Sequence, residues 1–106
     1  MATETVPTTI TPEAAALARE YGVERELEAI LEKGKRMVKG LQALHVDVSP
    51  ANPMWPEDEI RILAEVDPAV GDDPSHTAWW SWRLDQYPLA VAERFLVLIR
   101  EARNGR

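Results

Sequence analysis

The sequence predicts an α+β fold with element order ααββαβ: two N-terminal helices, a β-hairpin with a long proline-rich loop, a tryptophan-rich helix and a C-terminal strand, in a three-stranded, mainly antiparallel sheet. Three observations predict it. Apolar residues recur every three to four positions over 12–38, the spacing becomes two across 42–49 and 59–67, and a run of five apolar residues occupies 95–99. The chain has 106 residues, 45% of them hydrophobic and 28% charged, enough for one core and too apolar for disorder.

Residues 1–10, rich in threonine, are read as extended or mobile and 103–106 as a mobile tail, which leaves 11–102 as the folded domain. In "TPEAAALAREYG", Thr11 can cap a helix and Pro12 suits its first position. Glu13 meets the positive helix end and Gly22 can terminate the last turn, giving a helix over 12–21. The segment "VERELEAILEKGKRMVKG" puts Leu27, Ile30, Leu31, Met37 and Val38 on one face, with Gly34 among them. Its glutamates come early, its lysines late and Gly40 follows, so a second helix is expected near 24–38. A mid-helix glycine costs about 1 kcal/mol against alanine, which marks Gly34 as a close crossing with another backbone or a weak point.

In "QALHVDVS" Leu44, Val46 and Val48 alternate with Ala43, His45 and Asp47. In "EIRILAEVD" Ile60, Ile62, Ala64 and Val66 alternate with Arg61, Leu63, Glu65 and Asp67. These read as two antiparallel strands joined by the protruding, proline-bearing "PANPMWPEDE". If Val48 lies opposite Ile60, Asp47 faces Arg61 across the pair. Asp73-Pro74 repeats the logic of Thr11-Pro12 and starts a third helix, which Tyr87-Pro88 must end or bend. "LAVAER" can add one more turn. The run from Phe95 to Ile99 reads as a strand buried on both faces. A helix through 89–102 is the alternative, disfavoured because two strands alone make a poor sheet.

The formal charge is −6, unevenly spread: −2 over residues 1–49, −6 over 50–76 and +2 over 77–106. The acidic middle disfavours nucleic-acid binding by the whole surface. The basic clusters Lys33, Lys35, Arg36, Lys39 and Arg100, Arg103, Arg106 read as a helix end and a tail. With no cysteine, no secretory pattern at the start and no apolar run near the membrane-spanning length, the default expectation is a cytosolic protein without disulfides or membrane contact.

Dinucleotide and phosphate-loop glycine patterns are missing, and two histidines limit imidazole chemistry. His45 and Asp47 share a strand face, and Asp72, Asp73 and His76 form a second oxygen-and-nitrogen group. Together the five would resemble a hydrolytic metal centre in ligand chemistry, yet no spacing matches a ligand motif, so no metal, cofactor or catalytic residue is expected. On a helix, advancing about 100° per residue from Trp80, Leu84 falls near +40°, Tyr87 near −20° and His76 near −40°. That stripe is the expected core face. Trp79 and Trp82 lie outside it, and Arg83 follows Trp79 at cation–π reach. The rings spread too widely for one seam, which leaves a wide core, a protein interface or a ligand pocket.

The reading that follows is a small acidic interaction protein: an adaptor, inhibitor or regulatory partner, self-associating as a dimer. It would bind a protein, in particular a basic one, through Trp55, Trp79, Trp82 and Arg83, within an acidic rim running from Glu57 to Asp73. The alternative is a small-molecule-binding or hydrolytic domain with a tryptophan-lined pocket and His45, Asp47 or His76 as its polar group. A nucleic-acid regulator acting through the Lys33–Lys39 patch is a weaker third.

Overall fold

A computed structural model of the chain describes residues 6–71 and 73–102. The elements run β1 (Thr8–Ile10), α1 (Pro12–Tyr21), α2 (Glu24–Met37), β2 (Leu41–Ser49), β3 (Glu59–Val66), α3 (Pro74–Gln86), α4 (Leu89–Ala92) and β4 (Phe95–Glu101). The α+β class holds, but among the described residues the sheet has four strands in the order β1-β2-β3-β4 and is mixed. Only β2 and β3 pair antiparallel, and both outer pairs are parallel.

Two physical reasons account for that correction. With three residues, β1 is too short to display an alternation, and it is held by pairing Thr8, Thr9 and Ile10 with Leu44, His45 and Val46. The chain between β3 and β4 forms α3 and α4, a crossover long enough to bring the next strand back in the same direction, as parallel pairing requires. Residues 8–10 are therefore part of the sheet. The readings for 1–5 and 103–106 lie outside the described residues.

Both Pro-initiated helices start as their sequences dictate. Thr11 Oγ1 accepts from the Ala14 N–H at 3.1 Å, and Asp73 Oδ1 accepts from the Ser75 N–H at 2.9 Å. Gly22 closes α1 in the left-handed conformation, φ 70°. The helices cover one face of the sheet, where Leu44, Val46, Ile60, Ile62, Ala64, Val66, Phe95 and Val97 pack with Leu17, Leu27, Ile30, Leu31 and Trp79. β4 is an edge strand whose Phe95 and Val97 are buried while Leu98 is exposed, so it is not buried on both faces.

The hairpin register is the expected one, with Val48 opposite Ile60 and Asp47 opposite Arg61. On the solvent face Arg61 grips Asp47 through Nε and Nη2, each at 2.7 Å. Beside it Glu65 joins Arg100 and His45. The Arg61 hydrogen bonds hold the Asp47 carboxyl below its ordinary value, and Arg100, then His45, do the same for Glu65. A carboxyl depressed in the folded state contributes stability above its unfolded value near pH 4 and loses it as pH falls through the folded value. Melting temperature should therefore drop on acidification below about pH 4, and drop less in Asp47→Asn. Each pair is half exposed and worth under about 1 kcal/mol, so 1 M salt should shrink the difference between the two proteins. An identical acid profile for the variant would remove Asp47 from the effect.

Candidate interaction surface

The buried face of the tryptophan helix is rotated by part of a turn from the wheel drawn on its sequence. α3 buries His76, Trp79 and Arg83, while Trp80 (42% exposed) and Leu84 face solvent. Of the expected core stripe, His76 is buried and Tyr87 packs half-buried against the core while Trp80 and Leu84 lie outside it, and Trp79 (1% exposed), expected beyond the stripe, is interior and unavailable as an anchor. What selects this face is Gly34 of α2. A Cβ there would lie 2.7 Å from Trp79 Cζ2, so the indole occupies the space a side chain would take. Its Nε1 donates to the Ile30 carbonyl at 3.0 Å, which satisfies the one polar atom the ring buries. The close crossing expected at Gly34 is therefore with a ring and not with a backbone.

The buried polar residues of this face are paid in hydrogen bonds to main-chain carbonyls. His76 Nε2 meets the Lys39 carbonyl at 3.1 Å, and Arg83 Nη1 donates to the Phe95 carbonyl. Arg83 Nε has no partner among the described residues. Burial pulls the Arg83 guanidinium below its ordinary value, and the Glu59 carboxylate works against that. Arg83 also stacks on Trp80, 5.3 Å from the ring centre, where the sequence pointed to Trp79. It is 6% exposed, so it braces Trp80 instead of presenting itself. Trp82 is half-buried between Tyr87, edge-on at 5.9 Å, and Lys33, whose Nζ lies 5.5 Å from the ring.

Trp55 alone of the four proposed binding residues stands on the surface, on the β2–β3 loop, and the loop is braced. Asn52 and Trp55 exchange backbone hydrogen bonds of 2.8 and 3.0 Å. Asn52 Oδ1 accepts from the N–H groups of Met54 and Trp55, both at 2.9 Å, and Asp58 Oδ1 accepts from the Ala51 N–H at 2.7 Å. At its root the Tyr21 hydroxyl donates to the Asp58 carbonyl, while Arg94 stacks on Tyr21 and bonds Glu57 at 2.8 Å. Met54, which the sequence reading passed over, is 89% exposed at the tip. A hollow of about 240 Å³ lies beside Trp55, Pro56, Glu57 and Glu93. Part of the acidic rim therefore works as scaffolding for the turn.

The His and Asp groups do not come together. His45 and Asp47 lie on the outer sheet face with separate partners, Glu65 and Arg61, His76 is buried under α2's end, and Asp73 caps α3. Asp72 is outside the described residues. Among those described, no three His, Asp or Glu side chains are grouped as metal ligands, and no helix is long and apolar enough to cross a membrane. A larger cavity, about 330 Å³, opens between β1 and α2 and is lined by no tryptophan. Comparison of the chain with protein-family models, with curated proteins and with solved structures returned no match.

Proposed function

We propose that the chain is a protein-binding module that presents the Met54–Trp55 turn to a basic partner. The carrying observation is that two large apolar side chains are held outward on a turn locked by Asn52, Asp58 and Tyr21. A turn ordered before binding loses little conformational entropy on docking, and tryptophan and its apolar neighbours are the side chains that anchor interfaces. Charge supports the choice of partner, because residues 50–76 carry a net −6. Acids around an apolar anchor add little to affinity but speed encounter with a basic surface and repel an acidic one. An adaptor or inhibitor role fits this arrangement, since recognition is all it requires.

The test pairs function with fold. In Met54→Ser/Trp55→Ser the melting temperature should stay within the equivalent of about 0.5 kcal/mol, because both side chains lie outside the core. Loss of one specific, salt-sensitive partner from affinity purification, with that fold intact, is the expected result. Equal recovery of the same partner by both proteins would sink the reading. Iodide should quench Trp55 and Trp80 emission while leaving Trp79 untouched, and partner binding should protect Trp55.

A further inference from the structure

We propose that the open edge of β1 takes an extended peptide as an added strand, seating an apolar side chain in the cavity between β1 and α2 and basic side chains against the glutamates of α2. The proposal does not depend on the Met54–Trp55 turn. It begins with the ladder. The Leu44 N–H donates to the Pro7 carbonyl at 2.9 Å and the Thr11 N–H to the Val46 carbonyl at 3.0 Å. In a parallel pair this register spends the backbone groups of residues 7, 9 and 11 on β2. The N–H and C=O groups of Thr8 and Ile10 point the other way, where the sheet formed by the described residues ends.

The same two residues line the cavity of about 330 Å³. Paired in register with Leu44 and Val46, they turn their side chains to the helix side of the sheet. Ala15, Ala18, Leu27 and Leu31 give the cavity an apolar floor. Its far wall carries Glu24, Glu28 and Glu32, spaced four apart so that they share one face of α2. Glu24 lies 3.7 Å from Arg19 and Glu32 3.3 Å from Lys35, while Glu28, between them, has no ion pair among the described residues.

Unspent strand groups, an apolar floor and an acidic wall specify the occupant together. A strand fits a spacing of about 4.8 Å from β1, where a helix about 10 Å across does not. Main-chain bonds give such a ligand affinity and alternate side chains give it specificity. Residues two apart in the added strand share a face, so the matching ligand has an apolar residue with lysine or arginine two positions to either side. The sheet's other edge is treated differently, because Arg83 already occupies the Phe95 carbonyl at the start of β4. Inward-pointing charge is a device that blocks edge pairing, and among the described residues none is set against β1.

The probe is an acetylated, amidated peptide alternating threonine with arginine, leucine and arginine, titrated into the full chain and followed by amide NMR shifts. Saturable binding is expected, with shifts concentrated at Thr8, Ile10 and α2. The same peptide N-methylated at the amides facing β1 should not bind, and Glu28→Lys should weaken binding at least about fivefold. Thr8→Pro, which removes an N–H the sheet does not use, should abolish binding while leaving the melting temperature near wild type. Met54→Ser/Trp55→Ser should bind the peptide unchanged. Equal binding of the N-methylated peptide, no saturation, or shifts centred on Met54 and Trp55 would each overturn the proposal. So would light scattering that shows a second copy paired along β1 and excluding the peptide.

Discussion

Trp79→Ala should destabilise the fold by about 3–5 kcal/mol, the largest loss expected from any single truncation in this chain. Trp79 is the largest of the fully buried side chains, and removing it empties the space over Gly34 and takes one hydrogen-bond donor from the Ile30 carbonyl. The glycine makes the explanation testable. Gly34→Ala brings a methyl within 2.7 Å of a ring held at both its face and its Nε1, so overpacking of about 1–3 kcal/mol outweighs the roughly 1 kcal/mol gained in helix propensity. In a Trp79→Ala background the same change should turn stabilising. Denaturant melts of the four proteins in that cycle decide it. If the sign of Gly34→Ala is the same in both backgrounds, the ring does not select the glycine.

Arg83 is expected to separate volume from charge. Arg83→Ala removes both the stem that supports Trp80 and the bond to Phe95, and should cost about 2–4 kcal/mol. Arg83→Met keeps most of the volume and discards a guanidinium whose Nε is unpaired and whose protonated form burial disfavours. It should fall within about 1 kcal/mol of wild type. Equal losses in the two variants would mean that the charge itself, through the Phe95 carbonyl, is what stabilises. Both variants free the start of β4, so both should show more concentration-dependent association by light scattering than wild type.

The residues explain which parts of this fold can be read from its sequence. Alternation over 42–49 and 59–67 sets the hairpin register because a slip of one residue would bury Asp47 and Arg61. Thr11-Pro12 and Asp73-Pro74 announce helix starts because the cap is a local hydrogen bond. β1 was invisible because its order comes from β2, and the parallel outer pairs because pairing direction is set by crossovers. The buried face of α3 keeps the expected His76 but is displaced toward Trp79, because Arg83 reads as a surface residue until the Phe95 carbonyl that receives it is in place. One signal was available: a glycine on the apolar face of α2 asks for a large ring opposite. Of the four residues expected to bind a partner, Trp55 is on the surface, and Met54 beside it was missed because a lone methionine in a polar loop has no pattern.

β1 is joined to the rest of the sheet along one side and for three residues. Short, single-sided pairing of this kind opens locally at a small fraction of the global unfolding free energy, so its ladder amides should exchange with solvent well before those of β2 and β3. Anything that lies along its free side binds the closed form and not the open one. Occupancy there would consequently slow exchange at residues the ligand never touches, including the Leu44 and Val46 amides. A short sheet margin would in this way turn binding into a change of local unfolding rate.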